Sequence, residues 1–333
     1  MSSLKKFFMV FIICALIGCS ASKLTDKQLN DISTIQNNET YQKYLLRNSK
    51  FIYLDEGIRV HYTDEGKGPV IILIHGLCDS LHTFDGWARI LEDNHRVIRL
   101  DLLGFGFSSR SETYSRDIWV NFLDKFVTHL KLEKFSIAGN SLGGLISWSY
   151  CVKYPHKVES LILLDPIGYP QRMPSILNLA TLPVMNTISK YYIPRFMIRE
   201  CLKQVHGDKD LVTDELVQRF YFFINLPGRK EDFIKILRLI KEKAGDASIS
   251  QEIKNIKCPV FIQFGEKDQW VPVELTKFWA QDLPHAVITI YKGIGHIPQS
   301  EAPIITAMDT KRFLKKGAKV FYSKSNRKEN NNE

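Results

Sequence analysis

Cysteine is scarce in this chain: 6 residues in 333, with no Cys-x-x-Cys pair and no Cys/His cluster at zinc-finger spacing. A disulfide framework and a structural zinc site are therefore excluded as organising principles. No apolar run reaches the length of a membrane-spanning helix; the longest, Phe7–Ile17, has 11 residues. No internal repeat is present, and low complexity is confined to Ser323–Glu333. The body also lacks an excess of charge. The net charge is +9, but residues 1–18 carry +2 and residues 311–333 carry +6, leaving +1 between them. A nearly neutral body argues against nucleic acid as a partner; the basic tail is expected to be solvated, with anionic lipid as its alternative contact. With 44% hydrophobic residues, most of the chain is expected to bury a core of its own.

The N-terminus reads as an address. Lys5 and Lys6 precede the apolar run, which ends in Leu16-Ile17-Gly18-Cys19 followed by Ser20-Ala21-Ser22. A basic region, a short apolar stretch and a small-residue cleavage site make a signal peptide. The segment around Cys19 resembles the lipobox of bacterial lipoproteins. That resemblance implies lipidation of Cys19, export, and anchoring at the cell envelope, in the outer membrane if the host has one, with acyl chains such as palmitate holding it there. Residues 19–50 are expected to form a polar tether. Leu24, Leu29, Ile32 and Ile35 fall at rough helical spacing, which admits a short helix.

From Phe51 onward, strand-like runs recur. Phe51–Leu54 and Ile58–Thr63 flank a turn at Glu56-Gly57. Val70–Ile74, Val97–Leu100, Phe135–Ala138, Leu161–Leu164, Val260–Phe264 and Val287–Tyr291 follow. Helix-like stretches lie between them, at Phe84–Glu92, Ile118–Leu130, Leu142–Tyr154, Glu274–Gln281 and Ile304–Leu314. Continuous apolar runs alternating with helices predict an α/β fold with a mostly parallel, doubly wound sheet, over 51–165 and 256–315. Residues 166–255 contain no strand-like run. An interval that long is expected to be a helical subdomain inserted after the sixth strand, and residues 316–333 a basic disordered tail.

The chemistry concentrates at Gly139-Asn140-Ser141-Leu142-Gly143, between a predicted strand and a predicted helix. A serine at a sharp strand-to-helix turn needs neighbours without side chains, and the turn sets its hydroxyl at a helix N-terminus, where the Leu142 N–H faces a developing oxyanion. A serine needs a base. His296 follows the last predicted strand and Asp268 the one before, so both fall on the sheet edge that carries Ser141, in the order Ser, acid, His. Asp165 also ends a strand and is a rival acid; Glu266 is a near neighbour. His75 and His285 are expected to be structural. The second oxyanion donor is expected from Leu77, in the His75-Gly76-Leu77-Cys78 loop after the third predicted strand.

These motifs, with Asp101-Leu102-Leu103-Gly104-Phe105-Gly106-x-Ser108, Gly265-x-x-Asp268 and Gly295-His296-Ile297-Pro298, resemble the α/β-hydrolase superfamily over about residues 51–315. The resemblance implies a Ser141–His296–Asp268 triad, a cap over the site at 166–255, an acyl-enzyme route and no need for a metal or cofactor. The serine nucleophile disfavours relatives that use aspartate, namely epoxide hydrolases and haloalkane dehalogenases. The loop after His75 lacks the HGGG run of hormone-sensitive-lipase relatives. Carbon–carbon hydrolases of ring-fission products usually place Trp after the catalytic histidine, and here it is Ile297. The expectation is a membrane-tethered esterase or lipase acting on short- to medium-chain acyl esters or lipids. Its alternatives are a cofactor-free haloperoxidase-like or carbon–carbon hydrolase relative, or a non-catalytic hydrolase-like binding protein. The apolar cap residues Met173, Met185, Phe196, Met197, Tyr221, Phe222 and Phe223 could line an acyl pocket or form the cap's own core.

Overall fold

Eight strands form one sheet: β1 (Lys50–Tyr53), β2 (Arg59–Glu65), β3 (Val70–Ile74), β4 (Arg96–Leu100), β5 (Phe135–Asn140), β6 (Val158–Leu164), β7 (Val260–Gly265) and β8 (Val287–Tyr291). The computed structural model describes residues 31–316 apart from 183–184 and 186–187; the expected leader, Cys19 and the tail beyond Lys316 lie outside the described residues. The strand order is β1-β2-β4-β3-β5-β6-β7-β8. β2 runs antiparallel to β1 and β4, and every other pairing is parallel. This is the α/β-hydrolase fold. The two faces of β3 show why the apolar runs are continuous. Ile72 and Ile74 enter one core with Ile98, Ile137 and Leu163, while Ile71 and Leu73 enter the other with Val97, Ala138 and Phe261.

Helices cover both faces: α1 (Ile32–Gln36), α2 (Glu39–Gln42), α3 (Asp85–Leu91), α4 (Arg116–His129), α5 (Leu142–Lys153), then α6 (Ser175–Ala180), α7 (Arg195–Val205), α8 (Asp214–Ile224) and α9 (Arg229–Lys243) between β6 and β7, and finally α10 (Thr276–Asp282), α11 (Pro298–Glu301) and α12 (Pro303–Lys316). The described part of 166–255 is thus helical. Helix starts follow local chemistry. The Ser115 side chain accepts from Ile118 N at the head of α4, and Thr213 from Leu216 N at the head of α8.

The segment expected to be a polar tether differs over its described part. Residues 31–49 are packed down rather than extended. Asp31 and Asn38 cap α1 and α2. Ile35, Tyr41 and Tyr44 are buried with Phe107, Phe223 and Leu226. Tyr44 stacks on Phe222 with ring centroids 4.2 Å apart, and Tyr41 meets the same ring edge-on at 5.3 Å. The segment therefore contacts α8 of the cap and the Phe107 loop of the core together. Its end is fixed by Ser49, whose hydroxyl is 2.8 Å from His61 Nε2, while His61 Nδ1 is 2.7 Å from Asp101 Oδ2. Asp101 is fully buried; burial pushes its carboxyl up, but His61, His75 and the Leu81 amide outweigh that and hold it well below the usual range.

Burying an aromatic side chain this fully makes its loss expensive. Tyr44→Ala is expected to destabilise the fold by about 3 kcal/mol, read as a lower urea midpoint with an unchanged m-value. A midpoint within error of the parent would mean that the 31–49 segment is not docked in solution.

Candidate active site

Parallel strands deliver their C-terminal ends to one edge, and the order reverses between β4-β3 and β3-β5, so a crevice opens beyond β3 and β5. Ser141 follows β5 directly and caps α5 with φ 54° and ψ −113°. A non-glycine residue held there stores strain on the order of 1–3 kcal/mol. Its backbone is tied on both sides: Ser141 N donates to Leu164 O at 3.0 Å, and Leu145 N to Ser141 O at 3.0 Å. The flanking glycines are required by closeness. A Cβ on Gly139 would strike the Gly143 carbonyl and Ser147 Oγ, and one on Gly143 would strike the carbonyls of Ile74 and His75.

The β3 loop closes in from the other side. A Cβ on Gly76 would lie 3.2 Å from Ser141 Cβ, so the loop carrying Leu77 rests against the nucleophile turn. His75 shapes this loop, as expected of a structural histidine. Its Nδ1 donates to Gly76 O at 2.8 Å and its Nε2 accepts from Leu102 N at 3.0 Å. The N–H groups of Leu77 and Leu142 donate to nothing among the described residues. Both residues line cavities that Ser141 also lines.

Asp268 and His296 are together. His296 Nδ1 lies 2.7 Å from Asp268 Oδ2, and both side chains are almost wholly buried. Asp268 Oδ1 accepts from Trp270 N at 2.7 Å and Val271 N at 2.9 Å, so this carboxylate is held by three donors. His296 and Ser141 line the same two cavities. The Ser141 hydroxyl makes no hydrogen bond among the described residues.

Several supports carried no sequence signal. Asn140, beside the nucleophile, donates from Nδ2 to Leu164 O at 3.1 Å and to His296 O at 2.9 Å, fastening the β8 loop to β5 and β6. Glu301 Oε2 accepts from Gly295 N at 3.0 Å and Gly207 N at 2.9 Å, which ties the histidine loop to the cap. His296 N donates to Val205 O at 2.7 Å, a second tie to α7. The rival acids have other work. Glu266 accepts from Gly293 N at 2.9 Å. Asp165, fully buried with φ 44°, accepts from Gly265 N at 2.9 Å. Burial and the adjacent Asp268 charge hold the Asp165 carboxyl well above the usual range.

One oxygen of Asp165, one of Asp268 and a His296 ring nitrogen lie within 4.8 Å of one another. Asp268 and His296 are already bonded to each other there, so the group is the Asp165 carboxyl beside an engaged Asp–His pair, not an open coordination site. A serine, histidine and aspartate also meet at Ser49, His61 and Asp101, but neither Ser49 nor His61 lines either cavity.

The two cavities differ. One, of about 120 Å³, runs into the cap between Ile176, Leu177, Ile193, Met197, Leu202 and Phe233. Two cysteines also line it. Burial pushes Cys78 well up and Cys201 to about 12, so both thiols are neutral and neither rivals Ser141 as a nucleophile. The other cavity, of about 360 Å³, lies between the cap and α4 and includes Arg116, Asp117, Lys243 and Asp246. Arg116 is paired to Glu252 through two bonds of 3.0 Å, and Lys243 lies 3.7 Å from Asp246. The acyl-pocket candidates therefore divide: Met173 and Met197 line a cavity, whereas Phe196 is exposed and Phe222 and Phe223 pack under the N-terminal segment.

With the site in place, the comparisons fit the geometry. A family model described as alpha/beta hydrolase fold matches residues 69–199. Lipase 1 of Psychrobacter immobilis is 28% identical over 285 residues, covering 79% of this chain and 83% of that enzyme. The 2-hydroxy-6-oxo-2,4-heptadienoate hydrolase of Pseudomonas putida is 26% identical over 257 residues, covering 74% of this chain and 88% of the enzyme. The crystal structure of a variant of the meta-cleavage product hydrolase CumD, from Pseudomonas fluorescens, superposes with a TM-score of 0.71 at 27% identity over 80% of this chain and 98% of that one. The chain has the α/β-hydrolase fold and is similar to members of that superfamily.

The raised pKa of Asp165 gives a signed prediction. Its folded pKa is raised, so the folded state binds more protons than the unfolded one and stability falls as pH rises above the unfolded value of about 3.9. Asp165→Asn keeps the Gly265 contact and removes this cost. The variant is expected to be more stable than the parent at pH 8, with the gain vanishing near pH 4, in urea midpoints measured at both. An equal midpoint difference at the two pH values would contradict a raised Asp165 pKa.

Proposed function

We propose that the protein is a membrane-tethered serine ester hydrolase working through an acyl-enzyme. The observation that carries this reading is the convergence of Ser141, on its strained turn, with His296, bonded to Asp268, on the same two cavities. His296 takes the Ser141 proton as the hydroxyl attacks the ester carbonyl. Asp268 orients the ring and stabilises its cation. The Leu142 and Leu77 amides receive the oxyanion. His296 returns the proton to the departing alcohol, and water then deacylates Ser141 by the same path. The apolar cap cavity suits an acyl chain of short to medium length, and the wider, mixed cavity suits the alcohol. Similarity to a lipase supports the ester reading. Tethering rests on the expected lipidation of Cys19, which also places the protein at the cell envelope.

A second reading, hydrolysis of a carbon–carbon bond in a dienoate, draws support from the Pseudomonas relatives. Two features favour the ester. Ile297 follows His296 and lines the apolar cavity. An anionic dienoate would want an unengaged cation, but Arg116 and Lys243 in the wide cavity each face a carboxylate.

A panel of p-nitrophenyl acyl esters against a ring-fission dienoate separates the two; the ester reading expects turnover of esters, rising with chain length before it falls, and none of the dienoate. Ile193→Trp, which narrows the cap cavity, is expected to lower kcat/KM for the longer esters more than tenfold while sparing acetate; about 1–3 kcal/mol per excluded methylene-sized contact sets that scale. Asp268→Asn is expected to lower kcat roughly 10³–10⁴-fold with KM little changed, since the imidazole loses its carboxylate partner. Dienoate turnover with inert esters would replace this reading with the second.

A further inference from the structure

The segment that roofs the apolar cavity has a second face. Over residues 166–199 the chain carries Arg172, Lys190, Arg195 and Arg199 and no aspartate or glutamate. Its residues alternate between the cavity and the solvent. Ile176, Leu177, Ala180, Ser189, Ile193 and Met197 line the cavity. Between them, Leu179 and Leu182 are 44% and 45% exposed, Tyr191 is 75% exposed and Phe196 is 56% exposed. Arg172, Lys190 and Arg195 stand exposed beside them. The Arg195 guanidinium lies 5.6 Å over the Tyr221 ring, and Arg199 is paired with Asp214, which sits at the start of α8. Lys241 adds a further cation, donating to Thr181 at 2.9 Å between the two exposed leucines. Large apolar side chains interleaved with cations, with no acid in the segment, are the surface chemistry that anionic lipid attracts.

We propose that this outer cap face, formed by Leu179, Leu182, Lys190, Tyr191, Arg195 and Phe196, docks onto an anionic lipid bilayer. Charge decides the occupant. A second copy meeting this face in a two-fold dimer would set Lys190 and Arg195 against like charges, whereas an anionic leaflet complements them. The aromatic and aliphatic side chains would enter the headgroup boundary, and an acyl chain leaving the bilayer would meet the inner side of the same segment. The proposal deepens the ester-hydrolase reading by naming where the substrate comes from, but the docking itself requires no turnover.

Hydrogen–deuterium exchange on the full chain tests it, with phosphatidylglycerol–phosphatidylcholine vesicles compared with phosphatidylcholine alone. The expected result is slowed exchange in peptides spanning 175–182 and 188–199, only with the anionic vesicles, and reversed by high salt. The full chain could reach vesicles through Phe7–Ile17, or through the exposed Ile304, Ile305 and Met308 of α12. Protection confined to either of those regions would overturn the proposal. Lys190→Gln with Arg195→Gln supplies a second readout. Each cation lost weakens attraction to an anionic surface about fivefold. The pair is expected to lower turnover of a vesicle-embedded ester roughly 25-fold at low salt, leaving a water-soluble ester untouched. Equal loss on both substrates would also overturn it. Cap protection without turnover of any ester would leave the docking intact and remove the hydrolase reading instead.

Discussion

Everything at the site depends on the backbone of Ser141. A left-handed φ at a serine is costly, and it persists only because the surroundings over-determine it. Strand β5 lies between β3 and β6 in a parallel ladder, the Ser141 amide is bonded to the end of β6, and its carbonyl opens α5. Gly139 and Gly143 let the turn approach its neighbours within distances no Cβ could share. The strain directs the hydroxyl out of the sheet and leaves the Leu142 N–H, at a helix start, without a partner among the described residues. Strands β3, β5 and β6, buried along almost their full length, hold the candidate nucleophile in place.

The histidine is held by a different logic. It sits on a loop, and loops need ties. Asn140, Glu301 and the Val205 carbonyl supply them, and two of the three link the histidine loop to the cap. Movement of α7 would therefore be felt at the imidazole. Opposite, the 31–49 segment packs on Phe222 and Phe223, while Phe220 and Ile224 of the same helix line the apolar cavity. The cap is braced from the N-terminal side and coupled to the base on the other. Asp165 lies behind Asp268, its carboxyl held well above the usual range by burial and by the Asp268 charge.

The sheet was legible in the sequence because parallel strands buried on both faces leave continuous apolar runs; Val70–Ile74 and Phe135–Ala138 show this directly. The Ser141, Asp268 and His296 positions were legible because each follows a strand end, and a strand end is a local signal. What escaped was long-range. Tyr41 and Tyr44 lie in a polar stretch without periodicity, and their partners are nearly two hundred residues away, so the segment resembled a tether. Asp165 was visible as an acid at a strand end, but only the β6–β7 pairing sets it beside Asp268. Asn140 and Glu301 act through main-chain partners, which leave no trace in composition or spacing.

The central claim is that Ser141 is an activated nucleophile. Fluorophosphonate labelling of the folded protein, with peptide mapping, tests it without any choice of substrate. The account predicts modification at Ser141 alone, abolished by Ser141→Ala and strongly slowed by His296→Ala. A folded protein that fails to react, or that reacts at another serine such as Ser49, would contradict it.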